Sequence, residues 1–236
     1  MNSHISDRIQ SVNQQIEAAC EQAGRSRDSV QLLAVSKTRS ADEVRSAVEQ
    51  GLTHFGENYL QEALDKIEAL SDLELEWHFI GPIQSNKTRP IAEHFDWVHS
   101  VDRLKIGQRL SEQRPDGMAP LNICLQVNIS REESKSGCDP DEAPALAKTL
   151  SELPGVRLRG LMAIPAATDD PAEQHRAFAD LRQLLEQIRT ELPDLDTLSM
   201  GMSGDLIPAI EEGATIVRIG TALFGPRAPK PATTID

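Results

Sequence analysis

The chain has 236 residues and a formal net charge of −13 at pH 7, with 39% hydrophobic, 26% charged and only 3% aromatic side chains. This is the balance of an ordinary globular protein with enough apolar material for a core, in one large domain or two small ones. An acidic surface with no run of Lys and Arg repels nucleic-acid phosphates and anionic lipid, and so few aromatics leave little for bases to stack on; neither is an expected partner.

The three cysteines, Cys20, Cys124 and Cys138, are odd in number and show no C-x-x-C spacing. They read as reduced thiols rather than a disulfide framework or a zinc site. Residues Met1 to Gln15 are polar, without the apolar core of a signal peptide. No apolar stretch approaches the ~18 residues of a membrane span. A cytoplasmic protein is expected.

In chain order, Ile5, Ile9, Val12 and Ile16 recur at helical spacing, and Gly24 can close that helix in the left-handed region. Gln31 to Val35 is a short apolar run with the length of a buried strand. After Ser36-Lys-Thr-Arg39, Ser40 can cap a second helix whose first turn carries Asp42 and Glu43. The alternation continues with a very short strand at Thr53–Phe55 and a helix over 58–70, then Trp77–Ile80 and a short helical stretch near 85–93. Trp97-Val98 marks another very short strand, followed by a helix over 102–113. Leu121–Val127 precedes a helix over 141–152, and Leu158–Ile164 one over 171–191. Thr197–Met200 and Thr215–Ile219 complete the set, and Pro226 to Pro231 reads as a frayed tail. Eight strands alternating with helices predict α/β architecture: a single (β/α)8 TIM barrel with an extra N-terminal helix. One domain would span residues 1–236, with a core from about 30 to 226. A doubly wound open sheet is the alternative.

In such a barrel, functional groups sit where strands end and βα loops begin. Lys37 follows the apolar run Leu32–Val35. An amine leaving a buried strand loses solvation of its charged form, which is what a nucleophilic or Schiff-base lysine needs. The ordinary alternative is a solvated lysine. Met200, Gly201 and Ser203 follow the seventh strand, with Gly201 allowing a tight turn and Ser203 placed as a helix N-cap. Arg218, Gly220 and Thr221 end the eighth. Loops after strands seven and eight, opening helices, are the usual phosphate site of this fold; the plain alternative is two glycine turns with ordinary caps. Arg218 alternates with apolar Val217 and Ile219, so it points into the barrel and needs an anion or acceptor there. It is either the cationic wall of a ligand site or half of a structural ion pair. Asn58 follows the second strand, and His78, in the third, reads as a mouth residue or a satisfied core histidine. His94 and His99 fall on different elements, and no carboxylate spacing marks a metal site. Ser36 and Ser203 lack an evident His/Asp pair, so no hydrolase triad is expected. Ser85-Asn-Lys87 and Ser134-Lys-Ser-Gly137 read as solvated turns that could edge the mouth.

Several ordered motifs carry a resemblance. Ala34-Val-Ser-Lys-Thr38, Phe55-Gly-Glu-Asn-Tyr59, Trp77-His-Phe-Ile-Gly-Pro82, Gln84-Ser-Asn-Lys87, Ser134-Lys-Ser-Gly137, Gly160-Leu-Met-Ala163, Ser199-Met-Gly-Met-Ser203 and Val217-Arg-Ile-Gly-Thr221 lie between about Leu32 and Gly225. Together they strongly resemble the pyridoxal 5′-phosphate (PLP) homeostasis proteins, also called PLP-binding or proline synthetase co-transcribed proteins. The resemblance implies a fold type III PLP barrel similar to the N-terminal domain of alanine racemase, with Lys37 forming the internal aldimine. Ser203 and Gly220-Thr221 would hold the phosphate, Arg218 would face the pyridine ring and Asn58 would line the site. Beside the ring nitrogen, an arginine disfavours ring protonation and weakens PLP as an electron sink.

The family is thought to store, deliver or buffer PLP (vitamin B6), with PLP-dependent apoenzymes as possible recipients. Racemases of this fold add a β-domain that supplies a tyrosine base from a partner subunit. This chain ends soon after the eighth strand, and its sole tyrosine, Tyr59, is expected to be a packing residue. The expectation is therefore a monomeric PLP carrier or regulator without a dedicated reaction. The alternatives are a low-activity amino-acid racemase and, more distantly, a phosphosugar barrel.

Overall fold

A computed structural model of the chain describes residues 2–133 and 136–226. Helix α1 (Asn2–Gln22) precedes eight strand–helix units. These are β1 (Gln31–Val35) with α2 (Ala41–Val48), β2 (His54–Glu57) with α3 (Leu60–Ala69), β3 (Glu76–Phe79) with α4 (Thr88–His94), and β4 (Trp97–Val101) with α5 (Leu104–Gln113). The second half comprises β5 (Leu121–Gln126) with α6 (Ala143–Ser151), β6 (Val156–Met162) with α7 (Pro171–Arg189), β7 (Thr197–Ser199) with α8 (Leu206–Glu211), and β8 (Ile216–Ile219) with α9 (Thr221–Phe224). All neighbouring strands are parallel. The sheet closes in sequence order, with Gln31–Ala34 of β1 paired to Ile216–Ile219 of β8. The expected (β/α)8 barrel is the observed one, and the open sheet is excluded.

Strand alternation separates two cores. On β1, Leu32 and Ala34 face the helices, whereas Leu33 and Val35 turn inward. Inside the barrel they meet Ile80, Trp97, Cys124, Met162 and Ile216. The inward face of β2 and β3 is polar instead, with His54, Glu76 and the buried His78, and β4 adds the buried His99 beside Trp97. That is why β2 and β4 are longer than their apolar letters suggest. Gly160 lets β6 approach β7: a Cβ there would lie 1.9 Å from the Thr197 carbonyl oxygen.

Helix α1 buries Ile9, Val12 and Ile16 and packs on α8 and α9. Gly24, at φ 65°, ends it as the sequence requires. Arg25 then donates to the Ile210 and Ala214 carbonyls at 2.7 and 2.8 Å, tying the N-terminal helix to the end of α8. At α2 the expected cap is a full capping box. Ser40 Oγ accepts from the Glu43 amide at 3.2 Å, and the Glu43 carboxylate accepts from the Ser40 amide at 2.8 Å. Ser40→Ala is expected to lower stability by about 1 kcal/mol, read as a lower urea midpoint at unchanged slope.

The expected tail over Pro226–Pro231 and the Ser134–Gly137 loop lie partly or wholly outside the described residues. No described helix is long and apolar enough to cross a membrane.

Candidate functional site

A cavity of about 310 Å³ opens at the C-terminal end of the strands. Lys37, Asn58, Ser203, Arg218, Gly220 and Thr221, six of the expected residues, line it. Met200 and Gly201 stand behind the wall. Met200 is completely buried in the core between barrel and helices. Gly201 has φ 97°, and a Cβ there would sit 2.6 Å from Ala209 Cβ. Its carbonyl accepts the Arg218 amide at 2.9 Å, so it shapes the turn without facing the cavity.

Strand β1 stops at Val35, so Lys37 lies in the following turn rather than on the strand. The next residue, Thr38, has φ 64°, an unfavourable conformation for a β-branched side chain. A buried network holds this turn. The Thr38 amide donates to Glu62 Oε1 at 2.5 Å, and Lys66 Nζ donates to the Ser36 carbonyl at 2.6 Å. Ser36 Oγ donates to Glu57 Oε1 at 2.5 Å. Lys66 Nζ also reaches Glu57 Oε1 at 2.5 Å and Glu62 Oε1 at 2.8 Å. Glu57 is wholly buried and Lys66 nearly so. The turn that carries Lys37 is thus fixed from behind by an ion pair at the C-terminal end of β2.

Burial pushes the Glu57 carboxyl above its ordinary value of 4.5, against the pull of Lys66 and the Ser36 hydroxyl. The folded protein therefore holds this proton more tightly than the unfolded chain. The associated stability is complete below 4.5 and is lost as pH rises through the raised folded value. In Glu57→Gln this contribution should vanish. The wild type minus variant stability difference is then expected to fall with rising pH above 4.5, by at most about 1.4 kcal/mol per pH unit, in urea melts over a pH series.

Arg218 is 4% exposed at the cavity floor. It donates to Ser199 Oγ at 2.7 Å and to the Ala163 carbonyl at 3.0 Å. Among the described residues no carboxylate lies within ion-pair distance of it; its direct partners are neutral acceptors, and the Asp205 carboxylate attracts it only from farther off. Burial lowers its pKa to about 10, which leaves it cationic at neutral pH.

The β7 loop differs from expectation in its cap. Helix α8 begins at Leu206 with Asp205 as N-cap, so Ser203 sits in the turn ahead of it. The Asp205 carboxylate accepts the Met202 amide at 2.6 Å and is itself raised in pKa by burial. The Ser203 and Gly204 amides have no acceptor among the described residues. Thr221 opens α9, where the first amides lack intrahelical partners. Both helices are short, so loop amides and hydroxyls, rather than a long helix dipole, form this part of the rim. Asn58 adds a buried side-chain oxygen without a hydrogen-bond partner among the described residues.

The lining also contains Val35, Arg39, Ile80, Ile164, Met202 and Gly204, which the site expected from sequence did not include. Arg39 was within reach of the strand-end rule, being two residues past Lys37 in the same loop. It also donates to the Gly225 carbonyl at 2.5 Å, tying the loop after β1 to the end of α9. Tyr59 does not pack: it is 54% exposed, outside the lining, just before α3. His78 is a core histidine, 1% exposed, and not a mouth residue.

Residues 9–228 match the family described as alanine racemase, N-terminal domain. The pyridoxal phosphate homeostasis protein of Pseudomonas aeruginosa PAO1 is 64% identical over 225 residues, covering 95% of this chain and 96% of that protein. PipY of Synechococcus elongatus PCC7942, solved with PLP bound, is 40% identical with a TM-score of 0.82, covering 94% of this chain and all of that one. Alanine racemase from Corynebacterium glutamicum, 17% identical with a TM-score of 0.70, shares the fold over the whole of this chain and 64% of its own. By sequence and by fold, the chain belongs to the alanine racemase N-terminal domain family and, within it, to the pyridoxal phosphate homeostasis proteins.

Proposed function

We propose that this protein binds PLP in the cavity at the barrel mouth, as a Schiff base on Lys37, and serves intracellular PLP homeostasis without a dedicated reaction. The observation that carries the reading is one cavity holding a lysine amine, a buried arginine with no carboxylate in direct contact among the described residues, and a rim of loop amides and hydroxyls without partners among them. Condensation of the Lys37 amine with the aldehyde forms the C=N bond and releases water. Ser203, Gly204, Gly220 and Thr221 are suited to the phosphate, with Arg39 adding charge. Arg218, at the cavity floor, would lie beside the ring and would disfavour a protonated ring nitrogen. The cavity lies at the lower end of the roughly 300–1,000 Å³ usual for small-molecule sites. The PLP bound in PipY supports the same ligand here.

Three further assignments belong to this reading: PLP-dependent apoenzymes as recipients, a monomer, and a cytoplasmic location. Free, buried Cys20, Cys124 and Cys138 fit a reducing compartment. A racemase needs an acid/base on each face of the substrate carbon. Among the described residues the cavity wall holds no histidine, cysteine, tyrosine or carboxylate, which leaves Lys37 as its one conventional acid/base. An amino-acid racemase is therefore the weaker reading.

Titration of the purified protein with PLP and with pyridoxal tests the site. One PLP per chain is expected, with pyridoxal bound roughly 100-fold more weakly for want of charge-assisted bonds to phosphate. Equal affinities would reject the phosphate rim. Exchange of amino-acid α-protons at ordinary enzyme rates of about 1–10³ s⁻¹ would reject the carrier reading in favour of a racemase.

A further inference from the structure

At the opposite end of the barrel, β2 and β3 bring three ligating atoms together. His54 pairs in register with Glu76, and Gly56 with His78, so the three side chains share the inward face. His54 Nδ1 is 3.3 Å from Glu76 Oε1, His78 Nε2 is 3.2 Å from the same oxygen, and the two nitrogens are 3.5 Å apart. We propose that His54, Glu76 and His78 form a site for one divalent transition-metal cation of the zinc class, independent of the reading of the mouth.

The triangle has the size of a coordination face. Metal–ligand distances of about 2.0–2.1 Å in a tetrahedron place neighbouring ligand atoms about 3.3–3.4 Å apart. Two imidazoles and a carboxylate are the donor set for zinc or cobalt, not for calcium or magnesium. A solvent-open cavity of about 220 Å³ adjoins the cluster and leaves room for water at the fourth position. Asp96 and Glu74 add negative charge beside it.

The surroundings also orient the buried ligand. Trp97 stacks on the His78 ring at 5.4 Å with an interplanar angle of 8°. His78 Nδ1 meets His99 Nε2 at 2.8 Å, His99 Nδ1 meets Ser199 Oγ at 2.7 Å, and Ser199 accepts from Arg218. Arg218 can only donate. With a cation on His78 Nε2, Nδ1–H donates to His99, and His99 Nδ1–H donates to the second lone pair of Ser199. All three contacts are then made with consistent donors and acceptors, and the outer nitrogen of the metal-bearing imidazole is held by a hydrogen bond that fixes its tautomer and orientation. The alternative is a metal-free hub in which both imidazoles donate to Glu76.

The test is titration of chelator-stripped, full-length protein with Co²⁺, followed by visible absorbance and displacement with Zn²⁺. One Co²⁺ per chain with the intense d–d bands of four-coordinate cobalt is expected, and Zn²⁺ should displace it. His54 and Glu76 are partly exposed, so His54→Ala and Glu76→Gln should fold, as circular dichroism would show. Each is expected to weaken binding at least about 10-fold, since loss of a direct ligand should exceed the loss of a group that only hydrogen-bonds to a ligand. The exposed control His94→Ala should bind as wild type. Absence of four-coordinate bands at millimolar cobalt, or unchanged affinity in whichever of the two variants folds, would overturn the site.

Discussion

Lys66→Met is expected to destabilise the protein by about 3–5 kcal/mol, because it strands a carboxylate that the fold has sealed from water. Glu57 has no exposure, and its Oε2 lacks a hydrogen-bond partner among the described residues. Lys66 is its charge partner at 2.5 Å. Without that partner only the Ser36 hydroxyl remains on Oε1, and the carboxyl folds with its proton retained. The loss should therefore depend on pH. It should be smaller near pH 5, where the unfolded chain carries some protonated Glu57 as well, and larger near pH 8, where the unfolded chain has given that proton up. Urea melts at both values check the magnitude and the sign. A loss under 1 kcal/mol at pH 8 would mean that the pair is not the tie that holds the turn.

Lys37→Ala is expected to abolish the absorbance near about 420 nm that a lysine Schiff base gives with PLP, while leaving the fold intact. Lys37 sits in the mouth cavity and not in either core, so its removal opens no packing defect. The rim of Ser203, Gly204, Gly220 and Thr221 remains, so weaker, non-covalent binding should persist. Fluorescence or dialysis measurements would detect that residue of affinity. A band of wild-type size in the variant would place the imine on another lysine.

Much of this was legible in the sequence because the information is local. The apolar run Leu32–Val35, the Ser40 cap and the Arg218-Ile-Gly-Thr221 ending each depend on neighbours in the chain, and the strand-end rule converts them into a site. What stayed hidden depends on register and depth. Met200 and Ser203 are three residues apart, yet one is buried in the core and the other lines the open mouth, and Asp205 rather than Ser203 is the N-cap of α8. Tyr59 was expected to pack because aromatics usually do, but its place just before α3 turns it outward. The Glu57–Lys66 pair spans a strand and a helix, and no sequence period links the two. The His54–Glu76–His78 triangle forms only because β2 and β3 pair in one register, and a slip of one residue would turn its members to opposite faces.

The central claim is that PLP is carried on Lys37. Borohydride reduction of the PLP-loaded protein, digestion and mass spectrometry test it most directly, since reduction converts the C=N bond into a stable amine linkage. The account predicts one reduced pyridoxyl adduct per chain, on the peptide containing Lys37. An adduct confined to other lysines, or none at all under conditions where PLP binds, would contradict it.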